Sequence, residues 1–235
     1  MSAPHRVRYR FELPDASQIT LEFNFGAADF RLLNPPPAQP PFWTELAYNQ
    51  CANCPLDAAR HSHCPAALQM AYVLEPLKAL VSFDTVAVTV SQAERTVYVE
   101  TSAQLAMSSV LGLIMATAGC PWTDHLRPMA RFHLPFASEA ETVYRSVCMY
   151  LLARTLTDPG APHDFAALEH LYANLHVVNR DMSRRLGAAT RTDPARNAMA
   201  LLDSYTTLLP AALEHSLGEL KPLFDAWRGG EFPAI

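Results

Sequence analysis

Glycine is scarce in this chain, eight in 235 residues, and none falls in a G-x-x-x-x-G-K-[ST], G-x-G-x-x-G or G-x-S-x-G arrangement. That removes the loops that cradle nucleotide phosphates and the nucleophile elbow of serine hydrolases. Charge is scarce as well. Only 17% of residues are Asp, Glu, Lys or Arg, the net charge is −5 and no long basic run occurs. An interface that draws its affinity from phosphate contacts is therefore excluded, and no nucleic-acid partner is expected. Half of the residues are hydrophobic, yet the most apolar helical stretch, 105–118, is shorter than the roughly 20 residues of a bilayer span. No membrane association is expected. The opening Met1-Ser2-Ala3-Pro4-His5-Arg6-Val7-Arg8 lacks the continuous apolar core of a secretory signal, so the expected location is cytoplasmic. Thiols stay reduced there, and five cysteines then point to metal or redox chemistry rather than to disulfides.

What is present reads as one α+β domain over 1–235, mainly strands over 1–101 and mainly helices over 102–228. Val7, Tyr9, Phe11 and Leu13 alternate with polar residues, and Ile19, Leu21, Phe23 and Phe25 do so again after Pro14-Asp15-Ala16-Ser17. This predicts an antiparallel hairpin with one buried face. The proline-rich 34–41 reads as an extended connector, Phe42–Tyr48 as a short third strand, and 65–80 as a helix. Thr85–Val90 and Val97–Val99 predict a second hairpin. A central buried helix follows, capped by Thr101 or Ser102 and broken only by Ser108, Ser109 and Gly112, with Gly119 as a left-handed stop. Helices are predicted over about 138–157, 164–187, 194–208 and 211–227. The breaks between them are Asp158-Pro159-Gly160-Ala161-Pro162 and Thr192-Asp193-Pro194, with Asp193 as N-cap. Strands first and helices later give an antiparallel sheet covered by a helical layer.

The densest chemistry lies in the fourteen residues from Cys51 to Cys64, which hold Cys51, Cys54, His61, His63 and Cys64. Cys51-x2-Cys54 forms a two-residue knuckle and His61-x2-Cys64 a second pair, so tetrahedral zinc is feasible, with either His61 or Cys120 as fourth ligand. His63 adjoins Cys64, which makes both hard to aim at one ion. Cys54, Cys64 and Cys120 each precede a proline. Proline favours the first helical turn, so each is a candidate N-cap, where the helix end favours thiolate. With Cys120 in the set an iron–sulfur cluster is the alternative, although the spacing matches neither ferredoxin pattern. The same thiols could instead stand apart as small apolar packing groups, which suffices for Cys148 within the apolar 147–152.

A second constellation runs from Trp122 to Phe136. Arg127 and Arg131 would share a helix face and could clamp an anion, and His125 and His133 could move protons near neutral pH. No nucleophile or carboxylate pair stands beside them in sequence. His163, His170, His176 and His215 fall in amphipathic helical stretches without metal-ligand spacing.

The residues Cys51-x2-Cys54-Pro55-Leu56 with Cys64-Pro65, the run Gly112–Pro121 and the run Arg127–Phe136 resemble an uncharacterised bacterial domain family. The resemblance covers the chain to about residue 210 and implies one domain with no activity to transfer. The sequence thus supports a metal-binding module, zinc before an iron–sulfur cluster, in which Arg127, Arg131, His125 and His133 recognise an anionic ligand or protein partner. The competing expectation is a metal-dependent enzyme using His125 or His133.

Overall fold

Side chains alternate across a strand, so a run with apolar residues at every second position buries one face and leaves the other wet. The computed structural model, which describes residues 4–160, 164–189 and 193–227, follows that rule. β1 (His5–Glu12) and β2 (Gln18–Phe25) pair antiparallel with Tyr9 opposite Leu21, and β3 (Thr85–Ser91) pairs antiparallel with β4 (Thr96–Ser102). The hairpins join through β1 and β3 to give one four-stranded sheet ordered β2-β1-β3-β4. Val7, Tyr9, Phe11, Leu21, Phe23, Phe25, Val86, Val88 and Val90 are buried on one face. On the other, Arg6 and Arg8 pair with Glu22 at 3.3 and 3.0 Å.

The helices cover the buried face. α1 (Pro65–Leu77) and α2 (Ala103–Thr117) lie nearest the sheet; α3 (Arg127–Arg131), α4 (Glu139–Thr157), α5 (Ala166–Ala189) and α6 (Pro194–Leu220) follow. α2 is the hub, touching β3 and β4 on one side and α6 on another. Its N-cap is Ser102, whose hydroxyl accepts the Leu105 amide at 3.4 Å. Past its end Gly119 takes φ +90°, a backbone region that costs glycine nothing. The fold is mixed α+β, and no helix among the described residues is long and apolar enough to cross a membrane.

Four expectations need correction. Phe42–Tyr48 is not a strand. Phe42–Thr44 forms a 3-10 turn because the amide and hydroxyl of Thr44 both donate to the Pro41 carbonyl, at 2.9 and 2.7 Å. Only an isolated bridge, Glu45 to His63, remains of sheet pairing there. The break expected near 209–210 is absent, since α6 runs through Pro210 to Leu220; packing along α2 and α5 outweighs the roughly 3 kcal/mol cost of an interior proline. Asp193 is the N-cap residue as read, its carbonyl accepting the Asn197 amide at 2.9 Å, but its carboxylate does not cap. Its carboxylate accepts the Ser82 amide and the Asn197 side chain instead, each at 3.3 Å. Finally, the segment after Cys54-Pro55 is not helical, and Cys120-Pro121 leads only into a 3-10 turn at Thr123–Leu126. The expected breaks at Ala161, Pro162 and Thr192, His163, and the side chain of His215 lie outside the described residues.

Candidate functional site

The loop that carries Cys51 and Cys54 has no regular structure of its own, so its backbone groups are satisfied from outside. Arg185 of α5, 1% exposed, donates to the carbonyls of Trp43 (2.7 Å), Glu45 (2.6 Å) and Leu46 (3.2 Å) and fixes where the loop begins. Asp181, one helical turn earlier and fully buried, accepts the Ala52 amide at 2.8 Å and pairs with Arg180 and Arg184 at 3.2 and 3.5 Å. The Cys54 amide donates to the Cys51 carbonyl at 3.0 Å, closing the two-residue knuckle.

Two further segments meet this loop. Cys64 is the N-cap of α1, with Pro65 in the first turn, and its amide donates to the Thr44 carbonyl at 2.8 Å. The turn containing Cys120 is tied to the knuckle by the Trp122 indole, which donates to the Asn53 carbonyl at 2.8 Å. Cys64 belongs to the main core, and Cys51, Cys54 and Cys120 pack against it. The four thiols thus come from three stretches of chain on one side of the core.

Their electrostatics record that arrangement. Burial pushes the Cys51 thiol up to about 12, and Cys64, Cys120, Asp181 and Cys54, in that order, push in the same direction. Burial raises the Cys64 thiol too, against the Ala67 amide, the Arg185 guanidinium and the Ala66 amide, which favour its thiolate. His61 is exposed, with Nδ1 3.3 Å from the Asp57 carbonyl, and is not among the groups acting on Cys51. His63 meets the Thr44 hydroxyl at 2.9 Å, and Cys148 is exposed on α4. Among the described residues no group of three or more His, Cys, Asp or Glu side chains is placed to hold a single metal ion.

The second constellation is dispersed. Arg127 and Arg131 do share α3, as their spacing predicts, but both are engaged within the fold. Arg127 donates to the Asp124 carboxylate at 2.8 Å and to the Asp29 carbonyl at 3.3 Å. The Arg131 guanidinium lies 5.8 Å from the Phe30 ring centre and 5.3 Å from that of Phe132. His125 is exposed, Nδ1 3.2 Å from the Trp122 carbonyl. His133 is buried, with Nε2 2.5 Å from the Tyr9 hydroxyl, which in turn lies 2.9 Å from Ser109 Oγ. Burial, then Arg145, drive the His133 pKa down to about 3. It is neutral at physiological pH.

Sequence reasoning missed a cavity of about 500 Å³ between α2, the 123–138 segment, α4, α5 and α6, lined among others by Ser108, His133, Arg145 and Asn179. The signal available was the pair Ser108-Ser109, two hydroxyls interrupting an otherwise apolar helix. No curated protein and no solved structure matches this chain. A family model described as a domain of unknown function (DUF6901) matches residues 7–225, and the chain belongs to that family.

Proposed function

We propose that the protein is a metal-binding domain in which Cys51, Cys54, Cys64 and Cys120 are the ligands and zinc is the metal. The observation that carries this reading is the action of three other thiols on Cys51, from stretches as far apart in sequence as the Cys51–Cys54 knuckle and Cys120. Four soft donors suit zinc, and a closed four-cysteine set leaves no position for substrate, so the metal is structural and joins the loop, α1 and the end of α2. Arg185 and the Ala66 and Ala67 amides, which favour thiolate at Cys64, reduce the cost of charging a buried set. His61, exposed and held at Asp57, is left out of the ligand set.

One observation favours an iron–sulfur cluster as the second reading. The thiols act on one another, yet among the described residues no three ligands are placed for a single ion, and a polynuclear cluster spans thiolates that stand wider apart than those around one zinc. Elemental analysis and an absorbance spectrum of anaerobically purified protein separate the two. One zinc per chain and no visible absorbance supports the first reading, and brown protein with iron and sulfide supports the second. Cys120→Ser is expected to abolish metal content, while His61→Ala and Cys148→Ser retain it. Metal-free protein, or a Cys120→Ser variant with undiminished metal, would refute the four-cysteine centre.

A further inference from the structure

The cavity beneath α2 is lined by none of the four cysteines, so what it does is independent of the metal reading. At about 500 Å³ it falls within the range of small-molecule sites, and its walls are mostly apolar, with Leu105, Leu113, Leu134, Leu175 and Leu202 among them. Phe136, also in the wall, holds φ +61°, a strained conformation for a bulky residue and one that clusters at functional sites.

Among the buried polar residues in this wall, Ser108 and Asn179 have no described side-chain partner. Ser108 and Asn179 are 7% and 6% exposed and both line the cavity, yet neither side chain hydrogen-bonds to a described residue. Both face the cavity space, where an occupant that supplies a hydrogen-bond partner takes the place of water. Tyr9, Ser109 and His133 satisfy one another and bring no charge. Among the described residues charge comes from Arg145 alone, and no described carboxylate lines the cavity. Arg145 Nη2 donates to the carbonyls of Met129 (2.7 Å) and Phe132 (3.0 Å). Its Nε and Nη1 make no hydrogen bond to a described residue. The nearby Glu141 carboxylate is occupied by the Ser138 amide at 2.7 Å. The result is a guanidinium edge without a hydrogen-bonding anion at the wall of an apolar space, with Glu141 its nearby counter-charge.

We propose that this cavity binds a hydrophobic monocarboxylate, its carboxylate on the free edge of Arg145, its body along α2 and α6, and Ser108 and Asn179 hydrogen-bonding to its polar end. A cation is rejected because no described residue in the wall neutralises it. A neutral analogue keeps the apolar contacts but loses the charge-assisted hydrogen bonds.

Calorimetric titration of the full chain with decanoate, decanol and decylamine tests this. Decanoate is expected to saturate at one per chain, decanol to bind at least about tenfold more weakly, and decylamine not to bind. Arg145→Gln is expected to reduce decanoate to the affinity of decanol. Asn179→Leu, which removes a partnerless amide, is expected to raise the melting temperature of the ligand-free protein while weakening decanoate. No saturable decanoate binding, or decanol or decylamine binding as tightly, overturns the proposal. Should Arg145→Gln fail to fold for want of its bonds to Met129 and Phe132, the three-ligand comparison on the unaltered protein decides alone. A lowered melting temperature for Asn179→Leu would mark Asn179 as structural and overturn its assignment.

Discussion

At the residue scale His133 sets an acid limit on the fold. Its folded pKa of about 3 lies below the ordinary histidine value of 6.5, through burial first and Arg145 second. Between those values the unfolded chain binds a proton that the folded chain does not, so stability is complete above pH 6.5 and is lost as pH falls toward 3. The slope is at most about 1.4 kcal/mol per pH unit. His133→Gln keeps a hydrogen-bonding side chain near Tyr9 without a titrating ring, and urea midpoints measured across that range are expected to flatten by about one proton. An unchanged slope would place the acid sensitivity elsewhere. Sequence had marked His133 as a proton-transfer candidate because its unperturbed pKa is near neutral. Burial depends on which residues pack around it, and those come from β1, α2 and α4, far off in the chain. Arg127 and Arg131 were legible as neighbours on one helical face for the opposite reason, since that spacing is local. Their engagement by Asp124, Asp29 and Phe30 was not.

At the element scale local chemistry predicted more than long-range contact did. Period-two alternation marked all four strands, because β1, β2 and β3 bury a single face and β4 half-buries one. The Cys-Pro reading was right for Cys64, where an apolar helical run follows Pro65, and wrong for Cys54, where Asp57, Ala58, Ala59 and Arg60 turn in solvent. Proline permits a first turn but does not supply the buried stripe that sustains one. α4 does have its own start signal. Ser138 Oγ accepts the Glu141 amide at 3.2 Å and Glu141 returns a bond to the Ser138 amide at 2.7 Å, a complete capping box. Ser138→Ala is expected to cost about 1 kcal/mol, read from denaturant unfolding. A cost near zero would mean that packing alone fixes the start of α4. Gly119 makes a second element-level case. A Cβ there meets nothing within 4 Å, so only its φ of +90° resists substitution. Gly119→Ala is expected to lose about 1 kcal/mol, and in metal-loaded protein to disturb the position of Cys120.

At the scale of the whole molecule the irregular 42–64 segment is held to the helical layer by two neighbouring side chains of α5. Arg185 donates to three carbonyls and Asp181 accepts one amide. Arg185→Leu keeps bulk but strands those carbonyls, and a loss of roughly 2–4 kcal/mol is expected. Thiol titration gives an independent reading. In metal-free protein the exposed Cys148 reacts first and the buried Cys64 last, and in the variant Cys51 and Cys64 are expected to react sooner. Unaltered thiol kinetics would show that the loop is held by its apolar contacts instead. None of this was legible in the sequence, where Arg185 is one charged residue on an amphipathic helix.

The strand order has a consequence for synthesis. β1 occupies an inner position, but its second neighbour, opposite Arg8 at Ser91, leaves the ribosome only after the proline-rich connector, the cysteine loop and α1. Until then the first hairpin travels with one row of amides and carbonyls open, the state in which β-rich nascent chains associate wrongly. How soon that row closes fixes whether newly made chains reach the native state or are lost to each other.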